Sequence, residues 1–238
     1  MTDLLLQTVD AFAARQLYPA AALIDATDEV PASIVDTMRE IGIVGLGDDD
    51  ADLPDVLRVV EALGAGSAAV ALLVVAPAAT TGTARARTGL RGLRSGVQTG
   101  CDFPAEHRRL ALAAGAAAIG AARHALKETA RYLEQRRAFG QVLIDVPVLA
   151  AALRGREADL DDAASALWGC ARDPLLGRAP DVARRATRAA VGATFDAIQL
   201  HGGYGYTTEY QVERIARDCI SLRALLAELD DVAAARAS

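Results

Sequence analysis

The chain predicts an all-α fold, and three observations point there. Alanine, leucine and arginine dominate its 238 residues, aromatics are held to 4%, and apolar positions recur at helical spacing between prolines and glycines. Small and straight-chain residues favour helix, whereas strands draw on β-branched and aromatic ones. A hydrophobic share of 52% supplies a substantial core, enough for one large domain or two small ones.

Helical patterns open at about 3–14 and 31–41, then 53–63 and 67–76. Pro31 suits the first position of a helix and Gly42 the residue just past an end. The longest apolar run, 68–79, contains Pro77 and is too short to span a bilayer, so it reads as a buried core helix. Residues 1–81 therefore form a helical N-terminal domain.

From 82 to 103 the chain is rich in glycine and arginine, without a hydrophobic period, and reads as a solvated linker. No internal repeat is evident. Four longer amphipathic segments follow, near 104–137, 146–170, 179–200 and 208–228, bounded by Pro104, Gly140, Pro147, Pro174, Pro180 and Gly202. Joined by short links, they predict an antiparallel four-helix bundle over 104–238.

A net charge of -6 gives no general attraction to nucleic acid or anionic lipid. Cys101, Cys170 and Cys219 have no Cys-x-x-Cys spacing and an odd number, which suits a reducing cytosol. The N-terminus shows no secretory pattern, and the chain reads as cytoplasmic. No His, Cys and acidic cluster has metal-ligand spacing, so His201 is expected to pack or cap a helix end. Glu209, Glu213 and Arg217 stand at helical intervals as a charge network, and Trp168 fills a bundle gap.

Two segments carry chemistry. Residues 199–218 begin Gln-Leu-His-Gly-Gly-Tyr-Gly-Tyr and break a helical run at Gly202, Gly203 and Gly205, leaving backbone groups open to a ligand. Residues 131–140 end in Arg136, Phe139 and Gly140, the pattern Arg-x-x-Phe-Gly. Together these motifs, in this order over roughly 104–226, resemble the flavin-binding signature of the acyl-CoA dehydrogenases.

The resemblance implies a shortened helical N-terminal domain and a C-terminal four-helix bundle of acyl-CoA dehydrogenase type, the latter serving in oligomer assembly. The family's middle β-domain is missing, its place taken by the linker at 82–103. The resemblance further implies FAD, with Arg136 at the diphosphate, Phe139 near the adenine, and Gln199, Gly202 and Gly203 at a cofactor shared across a subunit interface. The reaction implied is α,β-dehydrogenation of a thioester carried on CoA or an acyl carrier protein.

The catalytic positions depart from the family. Counting from Arg217 and Asp218 places Leu226 where a glutamate base stands, and the alternative base position on the bundle's first helix falls at Leu110. Leucine accepts no proton. Glu106 and Glu228 are the nearest carboxylates, and their ordinary reading is solvent-facing helix charge. Pro147 replaces a glutamine that often follows Phe-Gly. The expected role is a subunit that contributes cofactor contacts beside a full-length partner holding the base. The alternatives are a self-sufficient minimal flavoenzyme with a displaced base and a non-catalytic helical interaction protein.

Overall fold

The computed structural model describes residues 3–46, 51–75, 104–138, 140–173 and 177–237. Helix dominates, and among the described residues the single sheet has two strands. The linker expected at 82–103 lies outside the described residues.

The first helical pattern runs further than expected. Helix α1 (Asp3–Phe12) passes through a π turn at Ala13–Leu17 into α2 (Tyr18–Thr27). Pro19 has no N–H to bond one turn back, and the wider π turn accommodates it without ending the helix. Helix α3 (Ala32–Ile41) takes Pro31 as its N-cap, one position before the expected N1, and stops at Gly42. Helix α4 (Leu53–Gly64) is followed by α5 (Ala68–Leu72), whose N-cap Ser67 accepts from the Val70 N–H. The apolar run read as a core helix is buried throughout 68–72.

The C-terminal part is built on α6 (Pro104–Gln135), α7 (Pro147–Ala171), α8 (Ala179–His201) and α9 (Val212–Ala237). Helix α6 is the axis: every residue from Leu110 to Ala122, its glycines included, is buried. A helix apolar all round needs neighbours on every side, and α4, α5, α7, α8 and α9 all pack against it. Its alanines and glycines let those neighbours approach closely. A Cβ on Gly120 would stand 2.8 Å from the Glu61 carbonyl carbon, and one on Gly64 2.7 Å from Ala117 Cα. The N-terminal helices thus close directly on the bundle.

Two differences from the expected bundle bear on the site. After α6, strands β1 (Arg137–Ala138) and β2 (Gln141–Val142) form a short antiparallel hairpin pairing Arg137 with Val142. Helix α9 begins at Val212 rather than near 208, because a 3-10 turn at Gly202–Tyr206 and the turns after it hold the chain off the helical path.

Candidate functional site

The site is assembled where α6 and α8 both end. Tyr132, in the last turn of α6, donates its hydroxyl to the His201 carbonyl at 3.2 Å, and the two rings stack 4.4 Å apart. His201 closes α8 and is 1% exposed. Its Nδ1 lies 2.8 Å from the Ala197 carbonyl oxygen, which only accepts, so Nδ1 carries the proton. Nε2 is then a bare lone pair, buried and without a hydrogen-bond partner among the described residues. Burial holds the imidazole pKa below its ordinary value and favours the neutral ring. His201 packs a helix end, as its place in the sequence suggests.

Tyr210 extends this aromatic group, edge-on to Tyr132 at 5.3 Å and 5.0 Å from His201. Tyr204 meets Tyr210 at 6.1 Å and lies under Arg136, whose guanidinium carbon is 5.6 Å from the ring centroid. Arg136 is fixed at both backbone groups: its N–H donates to the Tyr132 carbonyl at 2.9 Å, and its carbonyl accepts from Leu143 N–H at 2.8 Å. The hairpin thus anchors the arginine's backbone while its side chain stays exposed.

Across from it, Gly202 ends α8 with φ 59° and ψ -137°, a conformation only glycine adopts without strain. Its N–H returns to the Gln199 carbonyl. Gln199, Gly202 and Gly203 are all exposed, and a Cβ on either glycine would meet nothing within 4 Å. Gly205 is the opposite case, since a Cβ there would stand 3.0 Å from the Ile198 carbonyl carbon. The turn is folded down onto α8 at one end and open at the other.

Arg136 and the glycine turn therefore share one end of the bundle, with Tyr204 between them. Phe139 lies outside the described residues. The sequence reading missed Tyr132, Tyr204 and Tyr210, and a signal was present: four of the chain's five tyrosines belong to the two short motifs.

Leu110 and Leu226 are buried at 6% and 3% exposure, within the apolar core. Glu106 falls in the first turn of α6 and Glu228 in the second half of α9, and at both positions the backbone alone is described. Among the described residues, no group of three His, Cys, Asp or Glu could hold a metal ion, and no helix is long and apolar enough to cross a membrane.

The charge network on α9 differs from the expected one. Glu213 accepts from Arg217 Nε at 2.6 Å, whereas Glu209 stands in the turn before the helix. The third member is Asp25 of α2, gripped by Arg217. Beside them Asp218 is 6% exposed, 3.3 Å from Arg214 and hydrogen-bonded by the Ala68 N–H at the start of α5. Burial outweighs the Arg214 charge and pushes the Asp218 carboxyl up to about 6. Trp168 is half-buried against the core.

A groove of about 820 Å³ between α1, α4 and α6 is lined by Tyr18, Arg58, Glu61, Arg123, His124 and Lys127, among others. It contains none of the expected cofactor residues. Arg123 bridges Glu61 and Asp161 across its edge, so much of its charge is internally paired.

Comparison with known proteins names the fold. The family model for the C-terminal domain of acyl-CoA dehydrogenase matches residues 104–225, and that for the N-terminal domain matches 2–90. The chain belongs to the acyl-CoA dehydrogenase family. Residues 91–103 alone separate the two matched segments, which leaves no room for the middle domain there. The chain is 34% identical over 108 residues to a short-chain specific acyl-CoA dehydrogenase of Clostridium acetobutylicum, covering 43% of this chain and 28% of that protein. It is 32% identical over 108 residues to the caffeyl-CoA reductase-Etf complex subunit CarC of Acetobacterium woodii, covering 42% and 28%. The alignments thus take in less than a third of these relatives' length. Butyryl-CoA dehydrogenase from Megasphaera elsdenii has the same fold, with TM-score 0.75 at 17% identity over 98% of each chain.

Proposed function

We propose that this chain is an acyl-CoA dehydrogenase-like subunit that completes an FAD site in a hetero-oligomer, beside a full-length partner that carries the catalytic carboxylate. The observation that carries this reading is the convergence of Arg136 and the Gly202-Gly203 turn at one exposed end of the bundle. These residues fit the polar half of a dinucleotide. Arg136 offers in-plane donors to a diphosphate, Gln199 offers an amide, and the two glycines let a ligand reach bare backbone. Phe139, the next residue but two, would contribute at the adenine.

When bound, flavin supplies the electron sink for the hydride that leaves the acyl β-carbon. This chain's own residues bind and orient: Arg136 holds negative charge, and the turn presents backbone at close range. No proton is moved by Leu110 or Leu226, so removal of the acyl α-proton falls to the partner. The substrate is an acyl thioester on CoA or an acyl carrier protein, and the assembly works in the cytoplasm. Relatives support a shared arrangement, since one is named as a subunit of a reductase-Etf complex.

The test is purification alone and with a full-length acyl-CoA dehydrogenase-like partner, reading flavin absorbance and its bleaching by acyl-CoA. A colourless isolated chain that becomes flavin-loaded and active only in the assembly is expected. A yellow isolated chain reduced by acyl-CoA would establish a self-sufficient enzyme instead. Absence of flavin in both settings would leave a helical interaction protein.

A further inference from the structure

The arginine motif and the glycine turn are joined by one side chain that neither motif includes as a binding residue. Tyr204 is 42% exposed, and its ring lies beneath the Arg136 guanidinium. The ring also meets Tyr210, edge-on at 6.1 Å, and Tyr210 in turn rests on the buried Tyr132 and His201 pair. An unbroken series of ring contacts therefore runs from the helix ends in the core to an exposed arginine.

We propose that Tyr204 is the positioning residue for Arg136, holding the face of the guanidinium so that its in-plane N–H groups remain free for the diphosphate of a dinucleotide. The proposal rests on the reading of this end as the cofactor site. The division of labour follows from the shape of the group. A guanidinium is planar, is attracted by its charge to an aromatic ring, and hydrogen-bonds carboxylate or phosphate through its edge. An exposed arginine is otherwise free to sample many rotamers, and ordering it on arrival of the ligand opposes binding. A ring already beneath it removes part of that cost.

The turn does not depend on the ring for its own shape. Gly205 is seated on the Ile198 backbone, the Thr207 hydroxyl donates to the Tyr204 carbonyl at 2.8 Å, and Gly202 supplies the reversal. Removing the Tyr204 ring should free Arg136 while leaving the turn in place. Tyr206, 72% exposed two residues on, is an internal control for loss of a tyrosine from the same turn.

The experiment is an NMR titration of the full chain, labelled at arginine, with ADP as the diphosphate probe. In wild type, the Arg136 δ-methylene protons are expected to carry an upfield ring-current shift, and ADP should move the guanidinium resonances. Tyr204→Leu should abolish the ring-current shift and weaken ADP roughly two- to fivefold, the range of an exposed cation–π contact. Tyr204→Phe should preserve both, because it keeps the ring and loses only the hydroxyl. Tyr206→Leu should change neither, and Tyr204→Leu should cost nothing further once Arg136→Ala is present.

Unchanged ADP affinity in Tyr204→Leu would overturn the assignment to Tyr204 alone. A loss in Tyr204→Phe equal to that in Tyr204→Leu would transfer the role to the hydroxyl and overturn it as well. Failure of millimolar ADP to shift Arg136 even in wild type would remove the diphosphate site itself, a result distinct from either.

Discussion

The Arg217 guanidinium grips both carboxylate oxygens of Asp25, each at 2.7 Å, and so ties α9 to α2 across 192 residues of sequence. Its Nε simultaneously holds Glu213 at 2.6 Å. Two acids on one arginine raise its pKa further above an already high value, so the cation is permanent. The pair sits at the seam between the two parts of the chain, with the Arg217 side chain 41% exposed.

Asp25→Asn breaks that two-pronged contact. Because the pair is partly exposed, the expected loss of stability is modest, about 0.5–1 kcal/mol at low salt and less at high salt. Urea denaturation at two ionic strengths checks it. A loss that does not depend on salt would mean that the aspartate acts through packing rather than charge.

Asp218 makes the fold sensitive to pH in the direction opposite to a surface carboxylate. Its folded pKa, about 6, stands above the ordinary 3.8, with Arg214, Arg217 and Asp25 as the charges around it. The stability it contributes is therefore complete below about pH 3.8 and is lost as the pH rises through 6. Asp218→Asn cannot ionise, so its melting temperature relative to wild type should climb between pH 4 and 6.5 and then level off. Calorimetry across that range decides, and parallel pH profiles would place the carboxylate in a more solvated setting.

Arg136→Ala and His201→Ala should separate binding from folding. Loss of the arginine removes charge-assisted donors and should weaken flavin retention in the assembly by about 1.5–3 kcal/mol, more than loss of the histidine. Loss of the buried imidazole empties space beside Tyr132 and should lower the melting temperature of the isolated chain, which Arg136→Ala should leave nearly unchanged. Flavin per chain after gel filtration, beside thermal melts, reads both effects. Equal flavin content in wild type and Arg136→Ala would take the arginine out of the site.

Glu106→Gln and Glu228→Gln should leave turnover of the assembly nearly unchanged, while replacing the base of the full-length partner should reduce it by about 10²- to 10⁴-fold. Steady-state reduction of an electron acceptor by acyl-CoA measures the difference. Collapse of turnover in either variant, with folding and flavin intact, would assign proton removal to this chain.

Much of this architecture was legible because it is written locally. Prolines and glycines punctuate the four long helices, and the observed ends of α6, α7 and α8 fall within two residues of where Pro104, Pro147, Pro180 and Gly202 imply. Helix α2 was not legible, since Pro19 argues against helix unless a π turn precedes it. The hairpin after Gln135 pairs two residues with two, too few to show any alternation. The groups that shape the site are hidden for another reason. Tyr132 stands some seventy residues before Tyr204 and Tyr210, and Asp25 finds Arg217 only when the chain has folded, so the two motifs concentrate tyrosines without announcing which rings meet.

The seam where Gly64 meets the Ala117 backbone and Gly120 meets that of Glu61 carries a consequence for how this molecule can change over time. Where two main chains touch, the identity of the residue is dictated by a carbonyl on another helix rather than by a neighbouring side chain that could shrink to compensate. Such positions have no near neighbours in sequence space: a single methyl must move a whole helix, and no second substitution restores the lost room. The two parts of this protein are thus free to drift at their surfaces and at the exposed turn, yet they remain locked to each other at these two glycines.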